Sequence, residues 1–468
     1  MTTFLSGFSA LVWIYFVALQ TILLLLAIGS AVALHRDRRQ ATFGRVEDML
    51  TSDLAPPVSI VVPAYNESAG ILESIRSMSM VSYPRFEIVV ANDGSTDDTL
   101  EKLISEFEMH PVPYPVRASI PTAQVRQIYK TRLPIPLTVV DKVNGGRADA
   151  LNAAINASRY PYILATDADV ILDGSALAQA MRLVAEDRKR TVGVGGNIRP
   201  LNGCRMIHGH VVEAAVPESL IERYQLLEYV RAFVASRPAW SAINCLPNLS
   251  GAFGVYSRDV VVEVGGYTSG HFGEDLDMTM RVHRYLSDTN SDYRLVYSPA
   301  AVVWTEVPPT RKILRRQRIR WHRGLMTAVH DFRSSFFNPR HGTVGMLAWP
   351  MMVLFEYLAP IIEFLGWFLI PLAMVTGSVS PVTVGAFFVM ALLAGSVTSL
   401  VALLLDERFG HFNDPRETLK LLTIVFVENL GIRQITVWWR IRALFGGAST
   451  KTWGDMERRG VAQLAKSA

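Results

Sequence analysis

Acidic residues in three short segments have the chemistry to bind and activate a phosphorylated ligand. Asp93 follows FEIVVAN, where its carboxylate can accept hydrogen bonds from a nucleotide base or ribose. Asp167 and Asp169 follow YILAT, and two carboxylates this close repel each other unless a cation joins them. A hard divalent ion that holds a diphosphate is the economical explanation. In HFGEDLDMTM, Glu274 or Asp275 could act as general base on a hydroxyl.

Each acidic segment also has a structural explanation. In ANDGSTDDT, the four residues after Gly94 can cap a helix and complement its dipole, which leaves only Asp93 unexplained. An Asp-x-Asp pair is common in turns. The acids of GED and the following Asp277 can simply begin a helix. The residues alone leave these alternatives open.

Two basic segments could meet the same phosphates. NGGRADALN joins a tight turn to a helix start, so Gly145 and Gly146 permit close backbone approach and Arg147 could reach a phosphate. RRQRIRWHRG at 315–324 carries five arginines and a histidine without one acid, and a strongly apolar region follows. It could seat the chain at a membrane, bind nucleic acid or belong to an active site.

The second basic segment has two different faces if it forms a helix. At about 100° per residue, Gln317, Arg320 and Trp321 share one face. The indole offers a flat surface to a sugar ring, and the guanidinium suits a diphosphate. The other side is expected to contact anionic lipid headgroups. Its members are Arg311, Lys312, Arg315, Arg318 and His322.

Alternating strands and helices must position these residues. From residue 56 to about 307, short β-branched runs alternate with helical stretches, as in VSIVVPA followed by ESAGILESIRSM. This repetition predicts a mostly parallel sheet with helices on both faces. Ligands in such sheets bind beyond the carboxyl ends of the strands. Six prolines between residues 111 and 136 predict an irregular loop.

Apolar stretches predict a membrane protein. Residues 11–34 carry no charge and would span about 36 Å as a helix. HRDRRQ follows, which places the next segment in the cytosol, and without a basic leader a cleaved signal peptide is not expected. Residues 346–376 and 382–405 predict two further spans, giving an external N-terminus and a cytosolic C-terminus. Residues 419–445 carry charges and a Trp pair, which favours an interfacial helix over a fourth span.

Two acids interrupt the second predicted span. Glu356 and Glu363 lie seven residues apart on one helical face, where they could line a polar path for sugar hydroxyls. Pairing with cations or a position near the membrane interface explains them equally well.

The composition excludes some classes of protein. Of the 468 residues, 50% are hydrophobic, which is too apolar for an ordinary soluble enzyme. With 46 basic and 42 acidic residues, the chain lacks the bulk charge of a nucleic-acid-binding protein. Cys204 and Cys245 are too few for a disulfide framework, so both are expected to be packed free thiols.

Six motifs follow one another along the soluble segment. They are PAYNES (63–68), NDGSTDDT (92–99), NGGRADALN (144–152), DAD (167–169), GED (273–275) and QRIRW (317–321). Together they resemble the inverting family 2 glycosyltransferases. Flanking membrane helices narrow the resemblance to the membrane-embedded group of cellulose, hyaluronan and poly-N-acetylglucosamine synthases. The implied fold class is α/β, a cytosolic GT-A (nucleotide-diphospho-sugar transferase) domain with α-helical transmembrane segments.

The resemblance assigns the first motifs to the nucleotide. Asp93 resembles the aspartate that binds the uracil end of a UDP-sugar. Ala64, Tyr65 and Glu67 would shape the nucleotide pocket. Asn92 departs from the family pattern, because many members have an aspartate there.

The later motifs would carry the chemistry. Asp167 and Asp169 resemble the pair at the diphosphate, where Asp169 foremost would ligate Mg²⁺ or Mn²⁺. Asp275 resembles the general base that deprotonates the acceptor hydroxyl, with Glu274 beside it at the substrate. Arg147 stands where lysine is common. The residues that would hold the diphosphate and the acceptor sugar are Gln317, Arg320 and Trp321.

The resemblance implies inverting transfer from a UDP-sugar to a growing β-linked polysaccharide, with UDP-N-acetylglucosamine as first choice and UDP-glucose next. Processive synthesis coupled to export is expected, in the plasma (bacterial inner) membrane with the catalytic domain in the cytosol. Membrane lipids and either accessory export subunits or a homo-oligomer are further expected partners, whereas nucleic acid is not. The predicted organisation is an N-terminal transmembrane helix and basic linker (1–55), a GT-A domain (56–307), amphipathic interface helices (308–345), transmembrane helices (346–405), and an interfacial helix with a cytosolic tail (406–468).

Two other functions stay open. A non-processive enzyme that adds one sugar to a membrane glycolipid would share these motifs. A non-catalytic membrane receptor could keep the fold, although it would not need Asp93, Asp169, Asp275 and Trp321 together. A dehydrogenase is disfavoured because no GxGxxG follows the first strand, and a pure transporter because the soluble segment is large.

Overall fold

The computed structural model describes residues 1–43, 46, 55–113, 117–409 and 415–445. The described strands are β1 Val58–Ala64, β2 Phe86–Asn92, β3 Met109–Pro111, β4 Val125–Thr131, β5 Leu137–Lys142, β6 Tyr162–Ala165, β7 Val170–Leu172, β8 Thr191–Pro200, β9 Arg205–Ile207, β10 His210–Glu213, β11 Gly254–Ser257 and β12 Arg294–Thr305. The described α-helices are α1 Thr2–Phe43, α2 Ile71–Ser79, α3 Thr99–Glu106, α4 Arg147–Ala157, α5 Ala176–Glu186, α6 Leu220–Phe233, α7 Arg237–Ala242, α8 Arg258–Glu263, α9 Glu274–Asp288, α10 Arg311–Asp331, α11 Trp349–Met351, α12 Ala359–Val375, α13 Pro381–Glu407, α14 Pro415–Val427 and α15 Ile432–Phe445.

A mixed sheet of ten strands forms the centre of the soluble part, in the order β3-β4-β5-β2-β1-β6-β11-β8-β12-β7. Strands β5, β2, β1 and β6 are parallel neighbours, and β11 runs antiparallel between β6 and β8. The predicted parallel arrangement therefore holds for this central block. The outer strands are antiparallel except for β8 with β12.

Apolar sequence explains why the central block is buried on both faces. Every residue of β1 and β5 is buried. In α4, RADALNAAINA, every position after Arg147 is buried, because small alanines let the helix pack closely on β1 and β2. Val58 is level with both Phe86 and Tyr162, so the parallel strands start together. The residues that follow these strands emerge together at the carboxyl edge of the sheet.

The proline-rich segment contains two strands, so the loop prediction was wrong for part of it. β3 and β4 pair antiparallel, and β4 also pairs with β5 at one edge of the sheet. The prolines of this segment lie before and after β4, and none lies within it. Only Ile128 of β4 is buried, so most of this strand, which lies between the edge strand β3 and β5, is accessible to solvent.

Three helical segments within the described residues are long and apolar enough to cross a membrane. They are Thr2–Asp37, Val344–Val375 and Pro381–Glu407, and they cover the predicted spans to within one residue. α14 and α15 form a pair bent by 60° that would count as a fourth span if it crosses as one unit. The second segment is partly π-helical, because π-helices Val344–Ala348 and Met352–Tyr357 flank α11.

Buried ion pairs fasten the soluble part to these apolar helices. Arg182 of α5 pairs with Asp37 of α1 at 2.6 Å, and Arg199 of β8 pairs with Asp406 of α13. Both arginines are buried. α10 packs along α15, so the segment with QRIRW lies between the sheet domain and the C-terminal helices. Within the predicted N-terminal helix and basic linker (1–55), HRDRRQ belongs to α1, and residues 44, 45 and 47–54 lie outside the described residues. The predicted cytosolic tail after residue 445 also lies outside them.

Candidate active site

Arg147 lies at the centre of a cluster of acids at the carboxyl edge of the sheet. It begins α4 directly after Gly146, whose φ of 90° favours glycine. Its Nε and Nη2 donate to Oδ1 of Asp167 at 2.9 and 2.6 Å. Its Nη1 donates to Oε1 of Glu274 at 2.5 Å, and Nη2 also donates to the carbonyl of Gly251 at 3.1 Å. One guanidinium therefore joins three segments that are distant in the sequence.

The environment of Arg147 keeps it charged. A Cβ at position 251 would lie 2.9 Å from Nη2, so glycine is needed for this close approach. Burial alone would lower the pKa of Arg147, but Asp167 and Glu274 outweigh that effect and the net shift is upward. A diphosphate that binds Arg147 would compete with these carboxylates for its N–H groups.

Asp275 is the second residue of α9 and is half-buried. Its Oδ2 accepts hydrogen bonds from the backbone N–H of Gly251 and from Nδ2 of Asn248, both at 3.3 Å. Its Oδ1 accepts from the N–H of Leu276 at 2.9 Å. Burial, followed by the charge of Glu274, raises the pKa of Asp275. A raised pKa makes this carboxylate a better proton acceptor.

The pKa of Glu274 shifts in the opposite direction. Burial raises the pKa of Glu274, but the cations of Arg147 and, to a smaller extent, Arg320 outweigh it, and the net shift is downward. Two neighbouring carboxylates therefore differ in proton affinity, which separates their roles. Glu274 is the ionised partner of Arg147, and Asp275 is the group suited to take up a proton.

Asp93 is buried beneath the turn that begins α4. Its Oδ1 accepts from Nζ of Lys142 at 2.5 Å and from the N–H of Gly145 at 2.9 Å, and its Oδ2 accepts from the N–H of Gly146 at 2.7 Å. Nζ of Lys142 also lies 2.6 Å from Asp149. Asp93 thus holds the glycine turn, and its contact with a nucleotide stays a prediction. Sequence reasoning missed Lys142, although its place at the end of the apolar run LTVVDK was an available signal.

The residues predicted to shape the nucleotide pocket lie beside Asp93. Ala64 ends β1, and its carbonyl accepts from the N–H of Asp93 at 2.8 Å. Tyr65 is half-buried and Glu67 is buried. The N–H of Glu67 donates to Oγ1 of Thr99 at 2.9 Å, which ties the loop after β1 to the start of α3. The structure brings these residues together, and their role at a nucleotide stays a prediction.

Asp167 and Asp169 follow β6 and are both half-buried. Within the described part of the chain, no group of three or more His, Cys, Asp or Glu residues could hold a metal ion by itself. Magnesium is commonly held by one or two carboxylates together with phosphate oxygens and water. This pair therefore fits the protein's share of a metal site that a diphosphate completes. Oδ1 of Asp167 accepts two hydrogen bonds from Arg147, so this carboxylate connects the pair to the cluster around Arg147.

α10 carries the QRIRW motif past this cluster. Its N-terminus is capped by Thr310, whose side chain accepts from the N–H of Ile313. Gln317 is buried, and its Oε1 has no hydrogen-bond partner among the described residues. Trp321 is 42% exposed, so its ring is accessible to a ligand. A buried amide oxygen and an accessible indole on one helix are consistent with the predicted substrate contacts.

Arg318 and His322 do not face lipid, so that part of the prediction was wrong. Arg318 is 5% exposed and donates to both carboxylate oxygens of Glu228, at 2.9 and 2.6 Å. Its guanidinium carbon also lies 4.4 Å from the centre of the Trp321 ring. His322 is buried and stacks on Tyr357. The other members of that side are exposed, as predicted, namely Arg311, Lys312 and Arg315.

Close backbone contact fixes α10 against the loop before α9. A Cβ on Gly324 would lie 2.9 Å from the backbone nitrogen of Gly273. Nε2 of His271 lies 3.0 Å from Oδ2 of Asp331, the last residue of α10. The QRIRW helix and the GED motif are therefore positioned by each other.

Residues 56–324 match the profile of the family described as Glycosyltransferase like family 2. The chain belongs to this family. The match begins just before β1 and ends in α10 after QRIRW, so it includes every predicted site residue. The α/β GT-A fold class is thereby confirmed, and the chain is a glycosyltransferase of family 2.

Two bacterial enzymes illustrate the relationship. A poly-β-1,6-N-acetyl-D-glucosamine synthase of Staphylococcus epidermidis is 27% identical over 271 residues, which are 57% of this chain and 54% of the relative. The synthase of the same name from Staphylococcus aureus (strain COL) is 26% identical over 268 residues, with the same coverage of 57% and 54%. The chain thus spans about half the length of the curated relatives it matches.

Solved structures include one similar chain that extends over most of this glycosyltransferase. It is the mannosyltransferase PcManGT from Pyrobaculum calidifontis in complex with GDP-Man and Mn²⁺. It is 18% identical, with a TM-score of 0.47, and the likeness covers 90% of this chain and 98% of that chain.

The two acids in the second apolar segment of this glycosyltransferase pair with cations from α15. Arg433 donates to Glu363 at 2.9 Å, and the guanidinium of Arg440 lies 3.5 Å from the carboxylate of Glu356. Cation pairing, which is one of the explanations left open by the sequence, is therefore present in the structure. The three apolar helices indicate that this family 2 enzyme is a membrane protein.

Proposed function

We propose that this glycosyltransferase transfers N-acetylglucosamine from its UDP derivative to a growing β-linked polysaccharide by a single inverting displacement. The observation that carries the proposal is the convergence of Asp275, Glu274, Arg147 and Asp167 at one end of the sheet, directly beside α10. One proton acceptor and one cation in such a cleft suit the attack of a hydroxyl and the departure of a diphosphate.

The chain's own residues have separable tasks in this reaction. Asp275 takes the proton of the acceptor hydroxyl as that oxygen attacks the anomeric carbon of the donor. Arg147 and Arg320 stabilise the negative charge that develops on the leaving diphosphate. Trp321 stacks on the acceptor sugar and orients its hydroxyl. Because one displacement suffices, an α-linked donor gives a β-linked product, and no second catalytic carboxylate is needed.

Asp169, with Asp167 beside it, would hold a Mg²⁺ or Mn²⁺ ion at the donor diphosphate. When bound, such an ion supplies further neutralisation of the leaving-group charge. Asp93, Ala64, Tyr65 and the neighbouring Glu67 would bind the uridine.

The choice of N-acetylglucosamine and of a polymer product rests on the relatives. The staphylococcal enzymes that match over the family domain are named poly-β-1,6-N-acetyl-D-glucosamine synthases. UDP-glucose is the next candidate donor. Processive synthesis, export across the plasma (bacterial inner) membrane and a cytosolic catalytic domain belong to the proposal, as do accessory export subunits or a homo-oligomer.

A single-addition enzyme that modifies a membrane glycolipid is the second candidate. The position of α10 between the sheet and the apolar helices favours it as much as a polymerase, because both acceptors would reach the site beside the membrane. A receptor that retains the fold without catalysis is the third.

A donor panel tests the proposal. The purified chain in lipid nanodiscs is given UDP-N-acetylglucosamine, UDP-glucose or UDP-glucuronate with Mg²⁺ or Mn²⁺, and UDP release and product size are measured. We expect fastest release and a long product with UDP-N-acetylglucosamine. Asp275→Asn should lower kcat by about 10³-fold or more, because the proton acceptor is lost.

Asp259→Asn is the matched control, since Asp259 is an exposed acid in the first turn of another helix, α8. It should keep the wild-type rate. A product that stops at one sugar would select the glycolipid enzyme. No UDP release by the wild-type chain with any donor would leave only the receptor, whereas equal UDP release by wild type and Asp275→Asn would overturn the role of Asp275 as base.

A further inference from the structure

The side chain of Asn248 connects the proposed base to a cation that the reaction described above does not use. Arg237, the first residue of α7, donates from Nη2 to Oδ1 of Asn248 at 2.8 Å and from Nη1 to its carbonyl at 3.2 Å. The guanidinium carbon of Arg237 also lies 4.2 Å from the centre of the Phe233 ring. Two hydrogen bonds and one ring contact therefore hold this guanidinium in place.

The chemistry of arginine fixes the orientation of the Asn248 amide. A guanidinium has only donors, so the amide atom that it contacts must be the oxygen. The other amide atom, Nδ2, then points to Oδ2 of Asp275 and donates to it at 3.3 Å. Arg237 therefore determines that Asp275 meets a hydrogen-bond donor here.

This arrangement leaves one oxygen of Asp275 for chemistry. Oδ2 accepts from Asn248 and from the N–H of Gly251, which uses both of its lone pairs. Oδ1 accepts only from the N–H of Leu276 among the described contacts. One lone pair of Oδ1 thus remains to receive the proton of an acceptor hydroxyl.

α7 itself is held by the membrane part of the chain. The N–H of Ala239 donates to Oγ of Ser30 in α1 at 3.2 Å. Gly29 of α1 lies so close that a Cβ there would be 3.1 Å from the Cβ of Ala239. The position of Arg237 therefore depends on the packing of α7 against the first apolar helix.

We propose that Arg237 and Asn248 are positioning residues that orient Asp275 as the base of glycosyl transfer, through the chain Arg237, Asn248 and Asp275. The proposal rests on the proposed function. Other charged and titratable groups that face Asp275 are Glu274, Arg147, Tyr256 and Tyr267.

The test compares the pH dependence of kcat in Asn248→Ala, Arg237→Met and the double variant. Asn248→Ala removes a hydrogen-bond donor to the ionised form of Asp275, and Arg237→Met removes the cation that holds this donor in place. We expect kcat to fall about tenfold and the acidic limb to move upward by about half a pH unit, with the donor KM unchanged. The double variant should be no worse than the worse single variant, because both act through one chain.

Arg237→Lys separates positioning from folding. A lysine ammonium can still donate to the amide oxygen, so this variant should recover most of kcat and the wild-type acidic limb. Arg205→Met removes an exposed arginine of the β9–β10 hairpin and is the control, with no change expected. Thermal unfolding of each variant in detergent shows whether it is folded.

The outcomes distinguish the two levels of the proposal. Folded single variants with a wild-type pH profile, or additive losses in the double variant, overturn the positioning role while the glycosyl transfer stands. A wild-type chain that releases no UDP from any donor overturns the proposed function and the positioning role together.

Discussion

At the scale of single residues, one guanidinium sets opposite proton affinities on two adjacent carboxylates. Arg147 contacts Glu274 directly and Asp275 only at longer range. The pKa of Glu274 is therefore lowered despite its burial, which favours the ionised form. At Asp275 burial has the larger effect, and the pKa is raised. Sequence reasoning placed all three residues in the site but expected Arg147 to meet a phosphate. It did not anticipate the carboxylate partners, because they lie 20 and 127 residues further along the chain.

The raised pKa of Asp275 predicts the acidic limb of the reaction. A base acts only when it is deprotonated, so kcat should fall as the pH decreases through the folded pKa of Asp275, which burial raises from the ordinary value of an aspartate. Glu274→Gln removes a like charge and frees Arg147 to act on Asp275. Both effects lower the pKa of Asp275, so the acidic limb should move to lower pH by about half a unit. The measurement is kcat against pH, with Asp259→Asn as control, and an upward shift would contradict the prediction.

At the scale of elements, the backbone of α10 contacts the loop before α9 without intervening side chains, and this contact fixes the position of the QRIRW motif relative to Asp275. In Gly324→Ala the new Cβ would lie 2.9 Å from the nitrogen of Gly273 and 3.1 Å from its Cα, so one backbone must move. A displacement of the QRIRW helix relative to Asp275 should lower kcat by about tenfold or more. Gly385→Ala in α13 is the control, because no atom lies within 4 Å of its Cβ position. Wild-type kcat in Gly324→Ala would show that the contact is dispensable.

The two sides of α10 should respond differently to the loss of a cation. Arg320→Ala should abolish transfer, because Arg320 lies near Glu274 and would stabilise the leaving diphosphate. Arg315→Ala should keep the chemistry and instead weaken the response of the rate to anionic lipid, since Arg315 is exposed. UDP release in nanodiscs with and without about 30% anionic lipid measures both effects. Equal losses for the two variants in neutral nanodiscs would contradict the division.

Local sequence patterns predicted the elements much better than the partners of their side chains. Apolar periodicity identified the central strands, α10 and the three apolar helices, because those signals are contained within each segment. Cys204 and Cys245 are buried free thiols, as their number suggested. The burial of Arg318 could not be predicted, because Glu228 lies 90 residues earlier and the two meet only when α6 packs beside α10. The partners of Lys142 and Asn248 are also distant in the sequence, because Asp93 lies 49 residues before Lys142 and Asp275 lies 27 residues after Asn248. Strand β4 was missed because prolines surround it.

At the scale of the whole molecule, buried ion pairs connect the soluble domain to the apolar helices. Asp406→Asn removes the carboxylate that pairs with the buried guanidinium of Arg199, which should destabilise the fold by about 3–5 kcal/mol. Arg199→Met combined with Asp406→Leu removes both charges and should recover most of that loss. Thermal unfolding in detergent measures both, with Arg190→Met as an exposed-pair control that should stay near wild type. If Asp406→Asn unfolds at the wild-type temperature, this pair does not fasten the two parts, and the neighbouring contacts of α5, α6 and α7 must hold them instead.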